Sequence, residues 1–558
     1  QHGLSTRHSL TFTPHFKNED HSLLAMVRYQ YTNGTSSAQT NGQKWLPTVD
    51  GITSPLAGGI PTSFSTGAGE WKSQFFLFQV HYAYKGRYIF DATLRRDAST
   101  KFGPSSRWGN FPGLSARWNI SDEPWMKWAE NWLSMLSIRP GWGIVGNQPG
   151  GEGWYYSKYS TGSNYLSSSS VIPSNIRLAD LKWEKTETFN LGFDFGFLDG
   201  KIDGDLSIYT KKTTQLLNTN GRYKIPSSSG FNALDVKNEG KMRNNGWEFN
   251  INGHKIISAG KFSVDFNITF ANSRNKILEM DETLLEGYNE EFGFKNGQYL
   301  SRVQLNNPLG SIYGFRSKGV YAYSSLPRVR DRATGVESYV DMDMADIDKS
   351  KYIILENGGK NAPVVRTPNG DVVYNASGTP KKMYFDYNGG TRYEFQGGDA
   401  IYDDVNRDGS ICELDIVYLG STLPKLTGGF GVKFNYGPLS LNLQFNYRYG
   451  NKLLNYARMN LENMSNNNNQ SQAVNWRWHA EGDQALLPRA ATSQTGVNTY
   501  NYLGSDRFVE DGSFLRLNYA QLSYTFTPQS LKKLGISQLR FNLKAKIGRA
   551  VQQECRDR

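Results

Sequence analysis

Cysteine is nearly absent from these 558 residues. Cys412 and Cys555 are the only two, they lie far apart, and they provide no disulfide framework. Long apolar runs are missing as well. No stretch approaches the roughly 20 consecutive apolar residues that a membrane-spanning helix requires, so any passage through a membrane must be made by strands. The formal charge of +11, from 62 basic and 51 acidic residues, is scattered. No Lys/Arg cluster forms a nucleic-acid footprint, and no nucleic-acid partner is expected. Catalytic signatures are also lacking: there is no HExxH, no G-x-S-x-G elbow, no Walker loop and no C-x-x-C. The seven histidines show no metal-ligand spacing. No catalytic residue or organic cofactor is expected, and the chain does not read as an enzyme.

What the sequence has instead is alternation. From Leu439 to Tyr449 the odd positions are Leu439, Leu441, Leu443, Phe445, Tyr447 and Tyr449, and the even ones are Ser440, Asn442, Gln444, Asn446 and Arg448. Successive side chains of a strand point to opposite faces, so one face is apolar and aromatic and the other is hydrated. Phe76, Phe78, Val80, Tyr82 and Tyr84 repeat the pattern, as do Phe189, Leu191, Phe193, Phe195 and Phe197, and Val264, Phe266, Ile268 and Phe270. Fourteen strands are expected, near 6–16, 21–31, 72–84, 86–97, 109–119, 132–142, 186–197, 202–212, 246–254, 261–272, 428–436, 439–449, 513–526 and 539–547. A phase slip between Tyr519 and Leu522 predicts a bulge. With almost no helix to cover the apolar faces, the expected fold is all-β: a transmembrane antiparallel β-barrel with lipid outside and water inside.

The connections support that reading by alternating short and long. Short ones fall at Lys17–Asp20, Lys85–Gly86, Ile120–Asn131, Leu198–Lys201, His254–Gly260, Gly437–Pro438 and Thr527–Gln538; long ones lie near 32–71, 98–108, 143–185, 213–245, 273–427 and 450–512. Tight turns on one rim and extended loops on the other mark a barrel threading a membrane. Asp122–Leu133 is expected to be a short helix capped by Ser121 or Asp122, with Pro124 in its first turn. Aromatic residues make up 13% of the chain. Trp108, Trp118 and Trp142 read as interfacial girdle residues, with sugar stacking as the other use of such rings. Asp203 and Asp205 share a strand face and read as lumen hydration rather than as a glycosidase pair. Arg87, Asp91, Arg95 and Arg448 face the same lumen, where an internal salt-bridge lattice is expected.

One local motif carries chemistry. Asp404, Asn406, Asp408, Ser410 and Asp415 occupy positions 1, 3, 5, 7 and 12 of an EF-hand-like loop over 404–415. Calcium takes six to eight oxygens at about 2.3–2.6 Å, and Gly409 permits the sharp turn. A structural Ca²⁺ that stiffens an external loop is one reading. A polar turn closed by Asx hydrogen bonds is the other.

Longer motifs point to a family. Tyr88 to Trp118 reads YIFDATLRRDASTKFGPSSRWGNFPGLSARW, and ISDEPWMK follows. Then come IRPGWGIVGNQ (Ile138–Gln148), LKWEKTETFNLGFDFGF (Leu181–Phe197), NEGKMRNNGWEF (Asn238–Phe249) and NPLGSIYGF (Asn307–Phe315). Gly397–Gly431 (GGDAIYDDVNRDGSICELDIVYLGSTLPKLTGGFG), LPRA (Leu487–Ala490) and DRFVEDGSFLRL (Asp506–Leu517) complete the order. The series closely resembles SusC/RagA-type TonB-dependent transporters. The resemblance implies an importer of glycan oligosaccharides, or of peptides, in the outer membrane, capped by a SusD-like surface lipoprotein and driven by TonB. It also implies that 1–547 are about fourteen strands of a 22-stranded barrel, with 273–427 a large extracellular loop region. Plug domain and TonB box would lie ahead of Gln1, where the chain starts without Met or signal peptide, so a fragment is expected. Residues 548–558 depart from the family pattern. A secreted all-β glycan-binding or adhesive protein and a plain diffusion porin are the rival readings.

Overall fold

The computed structural model describes residues 2–44, 60–151, 153–165, 168–218, 223–231, 233–234, 236–282, 284–285, 299, 303–386, 392–465, 468–491, 500–526 and 538–546. The turn at 527–537, the tail 548–558 and Cys555 lie outside them.

All fourteen expected strands are present and form one antiparallel sheet in strict sequence order. They are β1 (His2–Phe12), β2 (His21–Lys44), β3 (Ile60–Tyr84), β4 (Tyr88–Ser99), β5 (Trp108–Asn119), β6 (Leu133–Asn147) and β7 (Glu184–Phe197). The second half comprises β8 (Ile202–Thr214), β9 (Lys241–Ala259), β10 (Phe262–Glu279), β11 (Leu426–Tyr436), β12 (Leu439–Tyr449), β13 (Phe514–Phe526) and β14 (Leu539–Lys546). No helix among the described residues is long and apolar enough to cross a membrane.

Register fixes the two faces. β8 pairs without a break from Ile202 to Thr214 with β7 on one side and β9 on the other, so a residue's face is shared by its cross-strand partners. One face exposes Phe78, Val80, Phe90, Leu94, Leu114, Ile208, Phe434, Leu522 and Leu543. Contiguous exposed aliphatics across so many strands suit a hydrocarbon surround and not water. An aromatic row crosses this face: Phe195, Phe249, Phe270 and Tyr447 follow at centroid spacings of 6.0, 6.3 and 6.2 Å. Glycines make room for it. Gly204 stands opposite Phe195, and a Cβ there would lie 2.6 Å from the Phe195 ring and collide with the Asn250 carbonyl oxygen.

Aromatics also mark the two edges of the apolar band. At the short-turn rim Tyr84, Tyr88 and Trp118 stack at 6.3 and 6.5 Å, and the Trp118 indole donates to Glu123 at 2.9 Å. Trp125 and Trp128 are exposed beside them. At the other end of β5, on the same face, Trp108 stacks on Phe76 at 6.3 Å. The two tryptophans are separated by about 33 Å of strand at roughly 3.3 Å per residue. A tilt of about 40° projects that to about 25 Å, the height of a barrel's lipid band.

Four local expectations are corrected. β2 and β3 extend to Lys44 and back from Ile60, so most of 32–71 is hairpin; Ser36–Thr40 is small and polar on both faces and offers no alternation to read, and 45–59 lie outside the described residues. The bulge opposite Gln444/Phe445 falls at Asn518, since Gln444 pairs with Tyr519 and Phe445 with Leu517. Tyr519 therefore faces inward, where its hydroxyl accepts from Asn442 at 3.2 Å. Ile120–Asp122 and Pro124–Ala129 are 3₁₀ turns without a side-chain cap, because Glu123, not Ser121, precedes the second turn and is held by Trp118. Finally, loop lengths sort by rim except at 100–107, which is shorter than the turn at 120–132.

Gly204→Ala is expected to cost about 1–3 kcal/mol through overpacking against fixed backbone. The temperature at which the folded band vanishes from a heat-modifiability gel should fall. Gly67→Ala, where an added Cβ meets nothing within 4 Å, should leave it unchanged.

Candidate functional site

The inward face carries a lattice of paired charges. Asp194 is nearly buried between β6 and β8 and accepts from Ser137 at 2.8 Å and from Arg139 at 2.5 Å, with Arg117 at 3.5 Å. Asp203 accepts from Asn252 at 2.8 Å and faces His254 at 2.6 Å, while Asp205 accepts from Asn250 at 3.0 Å. These two carboxylates are rungs of an amide ladder and not an acid/base pair. Arg95 grips Asp97 with two bonds of 2.8 Å and lies over Phe75 at 4.1 Å. Asp91 faces His81 at 2.7 Å and Arg87 reaches toward Glu123 at 3.7 Å. Arg448 lies over the Phe514 ring at 5.9 Å and, among the described residues, joins no ion pair. The expected lattice is thus present for Asp91 and Arg95, whereas Arg87 reaches Glu123 at the short-turn rim. A face of largely paired polar groups suits contact with water and presents few free charges.

At the long-loop rim, the described residues of the connections 280–425 and 450–513 share hydrophobic cores. Phe315, Tyr321, Phe385, Phe395, Tyr402 and Ile411 of the first loop share a core with Leu503 of the second. A second core gathers Met459, Met464, Val474, Leu487 and Phe508. Asp399 stitches the loops together. Its side chain is fully buried and accepts from Arg489 at 2.8 Å, from Tyr393 at 2.6 Å, from the Gln396 amide at 2.9 Å and from Asn501 at 3.3 Å. Burial, reinforced by the Asp399 charge, raises the Tyr393 phenol above its ordinary range, so it remains a donor. Sequence reading gave Asp399 and Arg489 no role. Both lie in quoted motifs, GGDA and LPRA, and a lone charge between apolar neighbours was the available signal.

The 404–415 loop sits on these cores, with Ile411 in the first. Asp404 accepts from the Gly409 amide at 2.9 Å, Asn406 from Asp408 at 3.1 Å, and Asp408 from Ser410 at 2.7 Å. Asp415 is buried and accepts from the Val405 and Cys412 amides at 2.7 and 2.9 Å. Arg407 and Gly409 take φ of 60° and 88°, which turns the chain sharply between Asp404 and Ser410. Among the described residues no three His, Cys, Asp or Glu side chains converge as a ready metal cluster; Asn406 and the Ser410 carbonyl fall outside that set. The donors nevertheless fit a hard cation. One oxygen of Asp404 is buried without a hydrogen-bond partner, and a carboxylate oxygen already accepting one amide keeps a second lone pair. Desolvation, with the Asp408 charge, raises the Asp404 carboxyl; desolvation, with Asp404 and Asp408, raises that of Asp415. Burial pushes the Cys412 thiol up to about 11, so it stays protonated and contributes no thiolate.

A family model described as TonB dependent receptor-like, beta-barrel matches residues 1–348. A TonB-dependent receptor of Formosa agariphila is 28% identical over 468 residues, which are 83% of this chain and 41% of that protein. TonB-dependent receptor SusC of Bacteroides thetaiotaomicron is 32% identical over 320 residues, covering 55% of this chain and 30% of SusC. The structure of the RagAB peptide transporter superposes with a TM-score of 0.67 at 19% identity, over 99% of this chain and 52% of that one, a likeness of fold. The chain spans less than half the length of these curated relatives.

Asp399→Asn removes the buried charge facing Arg489, and loss of one partner of a buried pair costs about 3–5 kcal/mol. Limited proteolysis should cut within 315–505 faster while gel mobility of the sheet is unchanged. The double variant Asp399→Leu/Arg489→Met should recover part of the protection.

Proposed function

Because this chain belongs to the TonB-dependent receptor-like β-barrel family, we propose that it forms the barrel wall and outer loops of a SusC/RagA-type importer. The family resides in the outer membrane, and the chain's two-faced sheet suits that setting. The observation that carries the transport reading is the inward lattice around Asp194, Asp203 and Arg95, a hydrated wall enclosed by an apolar exterior. The fused loop body at one rim is the natural seat for a SusD-like lipoprotein lid, and TonB would supply the energy. Glycan oligosaccharides are the proposed cargo, and the likeness of fold to the RagAB peptide transporter makes peptides the second reading.

Deleting the full reading frame that contains this chain is expected to abolish growth on one glycan class, with growth on monosaccharides intact. Loss confined to peptides would favour the second cargo, and unchanged growth on both would overturn the importer reading. A protonophore should stop uptake. Uptake that persists would indicate a diffusion porin, and a chain extracted without detergent would indicate the secreted adhesive protein.

The 404–415 loop is proposed to hold a structural Ca²⁺ through Asp404, Asn406, Asp408, the Ser410 carbonyl and Asp415. Asp404 and Asp415 bind their protons more tightly in the folded loop than in an unfolded chain. Without a cation, stability therefore falls as pH rises through the carboxylate range. In chelator, protease resistance of this loop should be lower at neutral pH than in acid. About 1 mM calcium, the range of extracellular modules, should restore it at neutral pH only. Asp404→Asn/Asp408→Asn should lose the response; an unchanged response would leave the Asx-turn reading.

A further inference from the structure

The outer face changes character toward the long-loop rim of β7–β10. Register places Phe193, Leu206 and Phe249 on one level of the lipid-facing side, and Leu191, Ile208 and Trp247 on the next. Two residues further along each strand stand Phe189, Thr210 and Asn245, with Arg274 opposite Asn245. The level beyond carries Glu187, Lys212, Arg243 and Lys276. Apolar side chains thus give way to cations within about 13 Å of strand, at roughly 3.3 Å per residue.

Lys212, Arg243, Arg274 and Lys276 are all exposed, and among the described residues none has an ion-pair partner. Their neighbour Lys241, by contrast, is paired with Glu279. All four line an open cleft of about 1590 Å³, to which Lys425 and Lys452 add two further cations. Among the described residues Glu187 is the only acidic one lining it, and its carboxylate accepts from the Trp142 indole at 2.9 Å. Phe189 and Ile208 on the apolar side are each about half exposed, and Trp247 is exposed beside them. Six cations against one carboxylate would be costly as a bare surface at a membrane boundary. They are complementary to an anion anchored at headgroup height.

We propose that this patch binds the phosphate of an anionic lipid of the outer leaflet, with Lys212, Arg243, Arg274 and Lys276 on the phosphate and Phe189, Ile208 and Trp247 against its acyl chains. Arginine supplies bidentate donors and lysine a mobile point charge. The aliphatic stems of the four side chains continue the apolar surface up to the headgroup. The inference holds whichever cargo the passage carries, because it concerns only the side of the sheet that faces lipid.

The test uses the full chain, purified in detergent and weighed by native mass spectrometry after exposure to diphosphoryl lipid A, phosphatidylglycerol or phosphatidylcholine. The wild type is expected to retain the phosphomonoester lipid at least about tenfold more than the Lys212→Gln/Arg243→Gln/Arg274→Gln/Lys276→Gln variant, in line with the contribution of each cation beside anionic lipid. The control Lys17→Gln/Lys85→Gln/Lys201→Gln/Lys261→Gln, with equal charge change in the short turns, should match the wild type. If the quadruple rim variant fails to fold, Arg243→Gln/Arg274→Gln alone should show a smaller loss. Brominated-chain lipid should quench wild-type emission more than that of Trp247→Phe. Equal lipid retention by wild type and rim variant overturns the proposal. So does displacement of the lipid by inorganic phosphate at matched concentration, which would make this a free-anion site.

Discussion

Hydrocarbon offers no partner to a peptide group, so a strand crossing it must pair every amide with another strand. That requirement governs this molecule. It explains why β8 is paired without interruption along both edges and why the irregular pairings are sparse. Among the described residues four shifts of the sheet, at Gly42/Gln43, Leu133/Met135, Lys241/Met242 and Gly253/Ile257, lie near strand ends beside rim connections. The fifth, at Asn518, turns Tyr519 inward to a polar partner. Continuous pairing in turn imposes strict two-residue alternation, and alternation divides the side chains between two solvents. The ion pairs of Asp194 and Arg95 belong to the wet face; the row from Phe195 to Tyr447 belongs to the dry one.

Beyond the band the constraint lapses, because water can satisfy exposed amides. The chain uses this freedom unequally. One rim is closed by turns as short as 260–261 and 437–438, whereas the other carries 280–425 and 450–513. Loops of that size cannot remain extended without losing their apolar residues to water, so they build cores of their own around Phe395, Tyr402 and Met459. Joining two loops in one core requires a polar seam, and Asp399 with Arg489, Tyr393 and Asn501 forms it. A buried carboxylate is tolerated only when its lone pairs are filled; the accepted bonds at Asp399 meet that condition.

These two regimes account for what the sequence disclosed. In the band, local pattern and environment coincide: Leu439–Tyr449 shows the period of a strand because its two faces meet different media. All fourteen strands were legible for that reason. β2 and β3 beyond Thr32 and before Ser73 were not, since a hairpin wet on both sides leaves no period. The loop body was least legible. Its contacts join residues such as Asp399 and Arg489, separated by 90 positions, and no periodicity records a long-range pair. The 404–415 loop and its Ile411 anchor were visible because its donors are contiguous, although the partners of Ile411 in the shared core, such as Tyr402 and Leu503, were not. The cation patch at the outer rim escaped notice for a related reason. Lys212, Arg243, Arg274 and Lys276 are dispersed in sequence and become neighbours only through strand register.

The loop body also ties the calcium-type loop to the seam. Asp399 is followed directly by the strand Ala400–Tyr402, which pairs with Ser317–Val320. Tyr402 packs beside Ile411 in the shared core, donates its hydroxyl to the Tyr500 carbonyl at 2.8 Å and accepts from the Leu503 amide at 3.1 Å. Asp404 begins two residues later. Tightening 404–415 would therefore brace the short strand that directly follows Asp399, and through it the second loop at Asn501 and Leu503. Any rigidity gained at 404–415 would reach the junction between the two loops through this strand. The adjoining β11 and β12, already locked by their own ladder, have no need of it. The loops thus form a separately stabilised platform standing on a wall that lipid holds in place.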